Sequence, residues 1–314
     1  MYTFCTIITA NYLPFAKVLY TSLAKRDISV KLQVLVVDGN NFVTEENLFI
    51  HQTQDLVKDP VFTKIEKKYA HTNSDYFRWA LKPIFISYLL GKEYEKVIFV
   101  DPDIYFVGNY DFLVNELDNA SVLLSPHWIS IEPSQIRDAL IQMFRGGLFN
   151  AGFIGVSKKG LAAMKWWAEA CHYNIEKQPQ IGIYDDQKYL DILPVEFEDV
   201  KILKHKGCNL AEWNMNSCKR TIKNGQLLIL GQYEPIFIHF TKDTIRHITN
   251  MNDYLLKQYL DEYMNLLNEK GADEKLLKGL PAHTDRFYIS NIIKRKLLIR
   301  TRLKRWLLRL SEKL

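Results

Sequence analysis

Two carboxylates one residue apart, Asp101 and Asp103, flank Pro102 directly after the apolar run Val97-Ile98-Phe99-Val100. Such a run reads as a short buried strand. A turn at its end, favoured by Pro102, lets both side chains face one crevice. Open α/β sheets bind ligands beyond the C-terminal ends of their strands. Hard carboxylate oxygens suit Mg²⁺ or Mn²⁺. An ion held there would bridge a diphosphate and neutralise a leaving group as its bond breaks. An isolated Asp-x-Asp arises in many loops, so its weight comes from the apolar strand before it and from what surrounds it in the chain.

The elements that must position this pair are legible in outline. Tyr2 to Thr9 is an apolar β-prone run. Asn11-Tyr12-Leu13-Pro14 then opens a helical pattern to about Arg26, and Lys31 to Val37 reads as a second buried strand ending at Asp38-Gly39. Apolar rather than alternating strands in a β-α-β start point to a parallel sheet covered on both faces. Thr44 to Tyr69 reads as polar and mostly helical. Asp75 to Leu90 reads as a helix with Pro83 as a kink or boundary. Ser121 to Ser125 is a strand, and Gly146 to Gly152 is a flexible segment entering a strand over Phe153 to Val156. Helices are expected over Leu161 to Tyr173 and Tyr184 to Leu193, the latter entered through Asp185-Asp186. Strands are expected over Leu227 to Leu230 and Ile236 to His239. The fold class is therefore α/β, with a main domain over 1–252 and a helical extension over 253–314.

Taken in order, these segments resemble the GT-A-fold glycosyltransferases, a Rossmann-like nucleotide-diphospho-sugar transferase fold. The likeness is to the retaining, glycosyltransferase family 8-like group that includes glycogenin and bacterial lipooligosaccharide galactosyltransferases. The matching pieces are Asn11-Tyr12, Tyr76-Phe77-Arg78, the strand with Asp101-Pro102-Asp103, Phe149-Asn150-Ala151-Gly152-Phe153, Asp186-Gln187, Trp213-Asn214 and His239-Phe240. They span roughly residues 3 to 250, and their order carries most of the specificity.

The resemblance implies a metal held by Asp101, Asp103 and His239, although a histidine in an apolar strand also fits a satisfied buried side chain. It places Thr9, Asn11 and Tyr12 at the nucleotide, with Tyr12 offering a stacking face; a plain turn and helix cap explains the same residues. Asp38 is either a turn residue or an acceptor near the base or ribose. Arg78 and Lys82, four apart, would approach the phosphates or orient the metal carboxylates, or else form a solvated surface pair. Asn150, Ala151 and Gly152 would line the sugar, where small residues let backbone come close. Asp185, Asp186 and Gln187 would bind sugar hydroxyls near the anomeric carbon. Two departures stand out. Ala10 occupies a place where relatives often carry an acid. His239-Phe240-Thr241-Lys242-Asp243 lacks the Gly and Lys-Pro-Trp that usually follow, so either Lys242 grips phosphate from a different spacing or that grip is missing.

The activity implied is transfer of a hexose from a nucleotide-diphosphate sugar, UDP being favoured by resemblance alone, to a glycan or lipid-linked saccharide. Retention needs no strong general base, whereas inversion would call on Asp185 or Asp186. Among alternatives, a haloacid-dehalogenase-like phosphatase would use Asp101 as nucleophile but usually carries it near the N-terminus, and a nucleotidyltransferase would want a Gly-rich basic loop after the first strand. A non-catalytic sugar-binding protein would be expected to have lost a metal ligand, and all three candidates are present.

Charge separates the body from the tail. From Arg286 to Leu314 there are ten Lys or Arg and one acidic residue, Glu312, so 1–285 holds the other 31 basic residues against 35 acidic ones. An acidic body makes nucleic acid an unexpected partner. In the tail Ile292, Ile299, Leu303, Trp306 and Leu310 share one helical stripe with basic residues around it. That pattern over 290–314 suits an anionic membrane surface, or docking on protein. Four cysteines without close pairs fit a reducing compartment. The N-terminus lacks signal-peptide character. The expected location is cytoplasmic, peripheral on the inner face of a bacterial plasma membrane.

Overall fold

The structure, a computed structural model, describes residues 1–39, 42–129, 132 and 137–279; the basic stripe at 290–314 lies outside them. The chain opens with β1 (Tyr2–Ile8), α1 (Leu13–Ala24), β2 (Leu32–Val36) and β3 (Leu48–Gln52). Three helices follow, α2 (Pro60–Tyr69), α3 (Ser74–Ala80) and α4 (Lys82–Leu90). β4 (Lys96–Val100), β5 (Ile104–Phe106), α5 (Asp111–Glu116), β6 (Val122–Pro126), α6 (Arg137–Gly146), β7 (Phe149–Ser157) and α7 (Leu161–Tyr173) form the middle. The remainder is α8 (Leu193–Glu196), β8 (Val200–Ile202), the hairpin β9 (Arg220–Lys223) and β10 (Gln226–Ile229), β11 (Phe237–His239), α9 (Lys242–Thr249), α10 (Lys257–Glu269) and α11 (Glu274–Gly279).

Seven strands form one sheet in the order β3-β2-β1-β4-β7-β6-β8. β3, β2, β1 and β4 run parallel, while β7 is antiparallel to both β4 and β6. The inner strands β1, β2, β4, β6 and β7 are buried almost throughout because both faces are covered, whereas the edge strands β3 and β8 are not. In β4, Val97 and Phe99 join one core with Phe85 and Trp167, whereas Ile98 and Val100 join the other with Leu19 and Tyr110. This is the period-two alternation of a strand between two dry faces.

Three local expectations are corrected. The supposedly helical stretch from Thr44 contains β3, an edge strand in which only Leu48 is buried and whose apolar run stops after Leu48-Phe49-Ile50. β7 starts at Phe149 rather than Phe153, and all nine of its residues are buried; the glycine turn is confined to Gly147 at φ 102. Tyr184 to Leu193 is not one helix. Asp185 takes a left-handed φ of 42 and a 3-10 turn, Gln187–Asp191, follows. The break near Pro83 is where it was expected, with Leu81 separating α3 from α4 and proline tolerated in the first turn of α4.

The described part of the extension shares a core with the body. Leu260, Tyr263 and Leu267 of α10 pack with Phe15 and Val18 of α1 and Tyr105 of β5. Tyr263 stacks on Phe240 with ring centroids 4.5 Å apart. No helix among the described residues is long and apolar enough to cross a membrane.

Candidate functional site

β4 ends where its chain must turn. Asp101 donates its backbone N–H to Gly152 O at 2.8 Å, and Ile104 N–H returns to Asp101 O at 3.1 Å, closing a turn over Pro102. The chain then becomes β5, which pairs antiparallel with β11 in the register His239↔Ile104. Phe240 N–H donates to Asp103 O at 2.9 Å. Pairing therefore brings a histidine more than a hundred residues away against the acidic turn. Ligand atoms of Asp101, Asp103 and His239 all lie within 4.8 Å of one another. His239 Nε2 is 3.1 Å from Asp103 Oδ1 and 3.9 Å from Asp101 Oδ2.

The cluster fits a divalent ion on three counts. Two hard oxygens and one imidazole nitrogen are an appropriate donor set. Both carboxylates keep 28% of their side-chain surface open to the crevice, while His239 is buried. Gly152 leaves the space that the cluster needs: a Cβ there would lie 2.6 Å from His239 Cε1 and 2.9 Å from Asp101 Oδ2. The charges are interlocked. Burial disfavours the imidazolium, but the charge and hydrogen bond of Asp103, with Asp101 behind it, raise the His239 pKa above its ordinary value. Burial alone would push Asp103 up, and His239 holds it below its ordinary value.

Lys82 supplies the opposing charge. Its ammonium lies 3.3 Å from Asp101 Oδ1, 3.1 Å from Asp186 Oδ2 and 3.1 Å from Ala151 O, with 5% of its side chain exposed. Burial pulls its pKa down, but the carboxylates outweigh that and raise it. One ammonium cannot balance two carboxylates, and the more deeply buried one bears the cost. Asp186 is pushed up to about 7 by burial, with Asp185 and Asp101 adding to the shift and Lys82 opposing it.

These groups sit where two lobes of one crevice meet. A lobe of about 180 Å³ is lined by Tyr12, Arg78, Pro102 and the acidic turn. A lobe of about 460 Å³ carries Asn150, Ala151, Gly152, Asp185, Asp186 and Gln187. Gln187 Oε1 accepts from Asn150 Nδ2 at 3.3 Å and Ala151 N–H at 3.2 Å, and its Nε2 donates to Gly146 O at 2.7 Å. Its amide thus ties the helical turn to β7. Asp185 faces Lys177 at 3.3 Å and accepts from Gln187 N–H at 3.1 Å.

Not every expected residue converges. Thr9 and Asp38 line a separate cavity of about 250 Å³ beside α3, where Asp38 accepts from Ala10 N–H at 2.6 Å. Asn11 is exposed and bonded to Thr9 at 2.7 Å. Lys242 is exposed at the start of α9 and lines neither lobe. Arg78 and Lys82 are not a solvated pair: Lys82 turns inward, and Arg78 pairs with Asp75 at 2.6 Å while its Nε is buried without a hydrogen-bond partner among the described residues.

Other lining residues were not assigned roles from the sequence. His127 donates from Nδ1 to Gly147 O at 3.1 Å, and burial lowers its pKa to about 4. Trp213 lies edge-on between His127 and His239, with centroids 5.7 and 5.5 Å away. Its Nε1 is buried without a partner among the described residues. Glu212 accepts from Thr244 at 2.6 Å and Thr241 at 3.2 Å, and burial raises its pKa. Lys177 lies over the Trp79 and Tyr184 rings at 4.7 and 5.0 Å. Only the Trp213-Asn214 pair left a signal in the sequence; the others come from loops without a local pattern.

No family model matches the chain. It is 27% identical over 246 residues to the uncharacterized protein YfnF of Bacillus subtilis (strain 168), covering 76% of this chain and 80% of that protein. It is 27% identical over 253 residues to YfnD of the same organism, covering 77% and 78%. Among solved structures it is similar to the galactosyltransferase LgtC in complex with donor and acceptor sugar analogs, with a TM-score of 0.54 and 13% identity over 89% of this chain and all of that one. An active-site mutant of LgtC gives 0.51 and 12% over the same shares. The fold is thus the GT-A α/β fold that the sequence resemblance implied.

Proposed function

We propose that this chain is a glycosyltransferase that moves a hexose from a nucleotide-diphosphate sugar, a UDP-sugar in the first instance, to a glycan or lipid-linked saccharide. The observation that carries the reading is the convergence of Asp101, Asp103 and His239 within 4.8 Å at the strand ends of a GT-A fold. These three would hold Mn²⁺ or Mg²⁺, which when bound supplies positive charge to a departing diphosphate.

The chain's own groups divide the remaining work. Arg78 presents a buried Nε, without a partner among the described residues, beside the acidic turn, a donor suited to a phosphate oxygen. Lys82 is already surrounded by Asp101, Asp186 and Ala151 O, so its task is to hold the two walls of the crevice together rather than to grip phosphate. Tyr12, half-buried at the lobe's edge, offers its ring to the nucleoside. Asp185, Asp186 and Gln187 face the sugar from the opposite wall. Trp213 closes that lobe with an apolar face, a common partner for the faces of a pyranose ring.

Retention is the proposed course. An inverting one would draft Asp185 or Asp186 as base, yet Asp185 is engaged by Lys177 and Gln187 N–H, and Asp186 by Lys82. A role in cell-surface polysaccharide or glycolipid synthesis at the inner face of a membrane belongs to the same proposal. It rests on the charge pattern of 290–314.

The test is release of nucleoside diphosphate from a panel of UDP-, GDP- and CDP-sugars, with Mn²⁺ or with chelator, beside an Asp186→Asn variant. Metal-dependent release from one donor, reduced in the variant, is expected. Binding of a donor without turnover under any acceptor condition would favour a sugar-binding protein, and no binding at all would remove the reading.

A further inference from the structure

His239 does not hold its place alone. Its Nδ1 lies 3.3 Å from Asn209 Oδ1, and both residues are buried. Asn209 is fully buried at a left-handed φ of 58, a conformation asparagine tolerates better than most residues. Its Nδ2 has no hydrogen-bond partner among the described residues. An unpaired buried N–H is unfavourable, so the side chain is retained for its oxygen. An amide oxygen on Nδ1 demands Nδ1–H, which leaves Nε2 free to act as a ligand.

Asn209 is in turn gripped from behind. Asn214 Nδ2 donates to Asn209 O at 2.7 Å, and Asn214 Oδ1 accepts from Ala211 N–H at 3.2 Å and from Arg220 Nη1 at 3.2 Å. Arg220 also donates to Cys218 O at 2.7 Å and Ala211 O at 2.9 Å. Its Nε faces Asp253 Oδ2 at 3.0 Å as an ion pair without hydrogen-bond alignment, and the two side chains are 4% and 5% exposed. Asp253 stands just before α10, where the C-terminal helices begin. A continuous buried polar chain therefore runs from the metal-ligand imidazole to the start of the extension. The loop that it crosses carries Glu212 and Trp213, which line the crevice.

We propose that Asn209, Asn214, Arg220 and Asp253 are positioning residues that set His239 for metal binding and couple that centre to the start of the C-terminal helices. The inference rests on Asp101, Asp103 and His239 being the metal ligands. Three variants of the full chain separate the links. Asn209→Gly removes the acceptor and accepts the backbone angle. Asn209→Asp keeps an acceptor. Asp253→Asn removes the far charge.

Two readouts apply: Mn²⁺ affinity by calorimetry, and the Nδ1–H proton signal of His239 in ¹⁵N-histidine-labelled, metal-free protein. Asn209→Gly should lose that signal and weaken Mn²⁺ binding about 10- to 100-fold. Asn209→Asp should restore both. Asp253→Asn should weaken Mn²⁺ binding in the same direction by a smaller factor. If a single variant fails to fold, Arg220→Met with Asp253→Leu removes both charges of that pair, so neither is left buried and unpaired, and should still weaken Mn²⁺ binding. Wild-type Mn²⁺ affinity and an intact Nδ1–H signal in Asn209→Gly would overturn the proposal. So would a lowered melting temperature with unchanged Mn²⁺ affinity in the distal variants. If the wild-type chain binds no Mn²⁺, the metal reading falls, and the Nδ1–H signal still decides whether Asn209 sets the imidazole.

Discussion

Adding one methyl group at Gly152 should disable the acidic cluster while leaving the fold standing. A Cβ on Gly152 would lie 2.6 Å from His239 Cε1, 2.7 Å from Asn150 Oδ1 and 2.9 Å from Asp101 Oδ2. Ordinary contact begins near 3.4 Å, so each neighbour must retreat by about 0.5 to 0.8 Å, a misplacement large enough to spoil a site held to within ~0.5 Å. Gly152 has no left-handed φ, so backbone strain does not confuse the result. We expect Gly152→Ala to weaken Mn²⁺ binding about 10- to 100-fold, the penalty typical of a disturbed ligand shell. Overpacking should cost about 1–3 kcal/mol of stability. Gly155→Ala, three residues along β7, is the control. Its Cβ would crowd Leu117 Cδ1 at 3.1 Å and Leu123 Cβ at 3.2 Å, inside the core and away from the crevice. It should lower stability without touching Mn²⁺ affinity. Calorimetry and urea melts on both variants decide the matter. Equal affinities in Gly152→Ala and wild type, or equal losses in both variants, would show that Gly152 does not make room for a metal site.

Lys82→Met should destabilise the chain by about 3–5 kcal/mol in urea melts, because it leaves a buried carboxylate unpaired; a loss below about 1 kcal/mol would mean that Lys82 is not a counter-ion. The raised Asp186 pKa sets a pH window. Its folded value, about 7, lies above the ordinary aspartate value of 3.8, so its contribution is full at pH below ~4 and fades as pH rises through 7. Asp186→Asn should therefore gain stability relative to wild type between pH 4 and 8, and a flat difference across that range would contradict the shift. Tyr263 carries a buried hydroxyl without a partner among the described residues. Tyr263→Phe should accordingly be neutral or more stable by about 1 kcal/mol, and a clear loss in thermal melts would show that the hydroxyl is used.

The acidic turn was legible because everything it needs is local: an apolar strand, two carboxylates and a proline within seven residues. His239 was legible only through resemblance, since the contact that matters is made by β5 pairing with β11 across the chain. Lys82 was placed at the phosphates or the metal carboxylates, and the structure sends it inward to Asp101 and Asp186, because α4 begins at Lys82 and turns that residue beneath β7. β3 was missed because this edge strand, with one buried residue, offers only the short run Leu48-Phe49-Ile50 and no alternation. Lys177 and His127 lie on loops and Glu212 opens a single 3-10 turn, Glu212–Asn214, where a residue's neighbours are set by distant elements rather than by its sequence surroundings. The relay through Asn209, Asn214, Arg220 and Asp253 has no periodic signature at all, because it is assembled from two turns and a strand start.

Everything proposed for this chain depends on Asp101, Asp103 and His239 forming a metal-dependent site for a nucleoside diphosphate. That site is tested most directly by titrating UDP, GDP and CDP into the full chain by calorimetry, with and without Mn²⁺, beside Asp103→Ala. Mn²⁺-dependent binding of one nucleotide, UDP in the first instance, is expected, and it should be lost in Asp103→Ala. Binding that ignores both Mn²⁺ and the substitution, or no binding of any of the three, would contradict it.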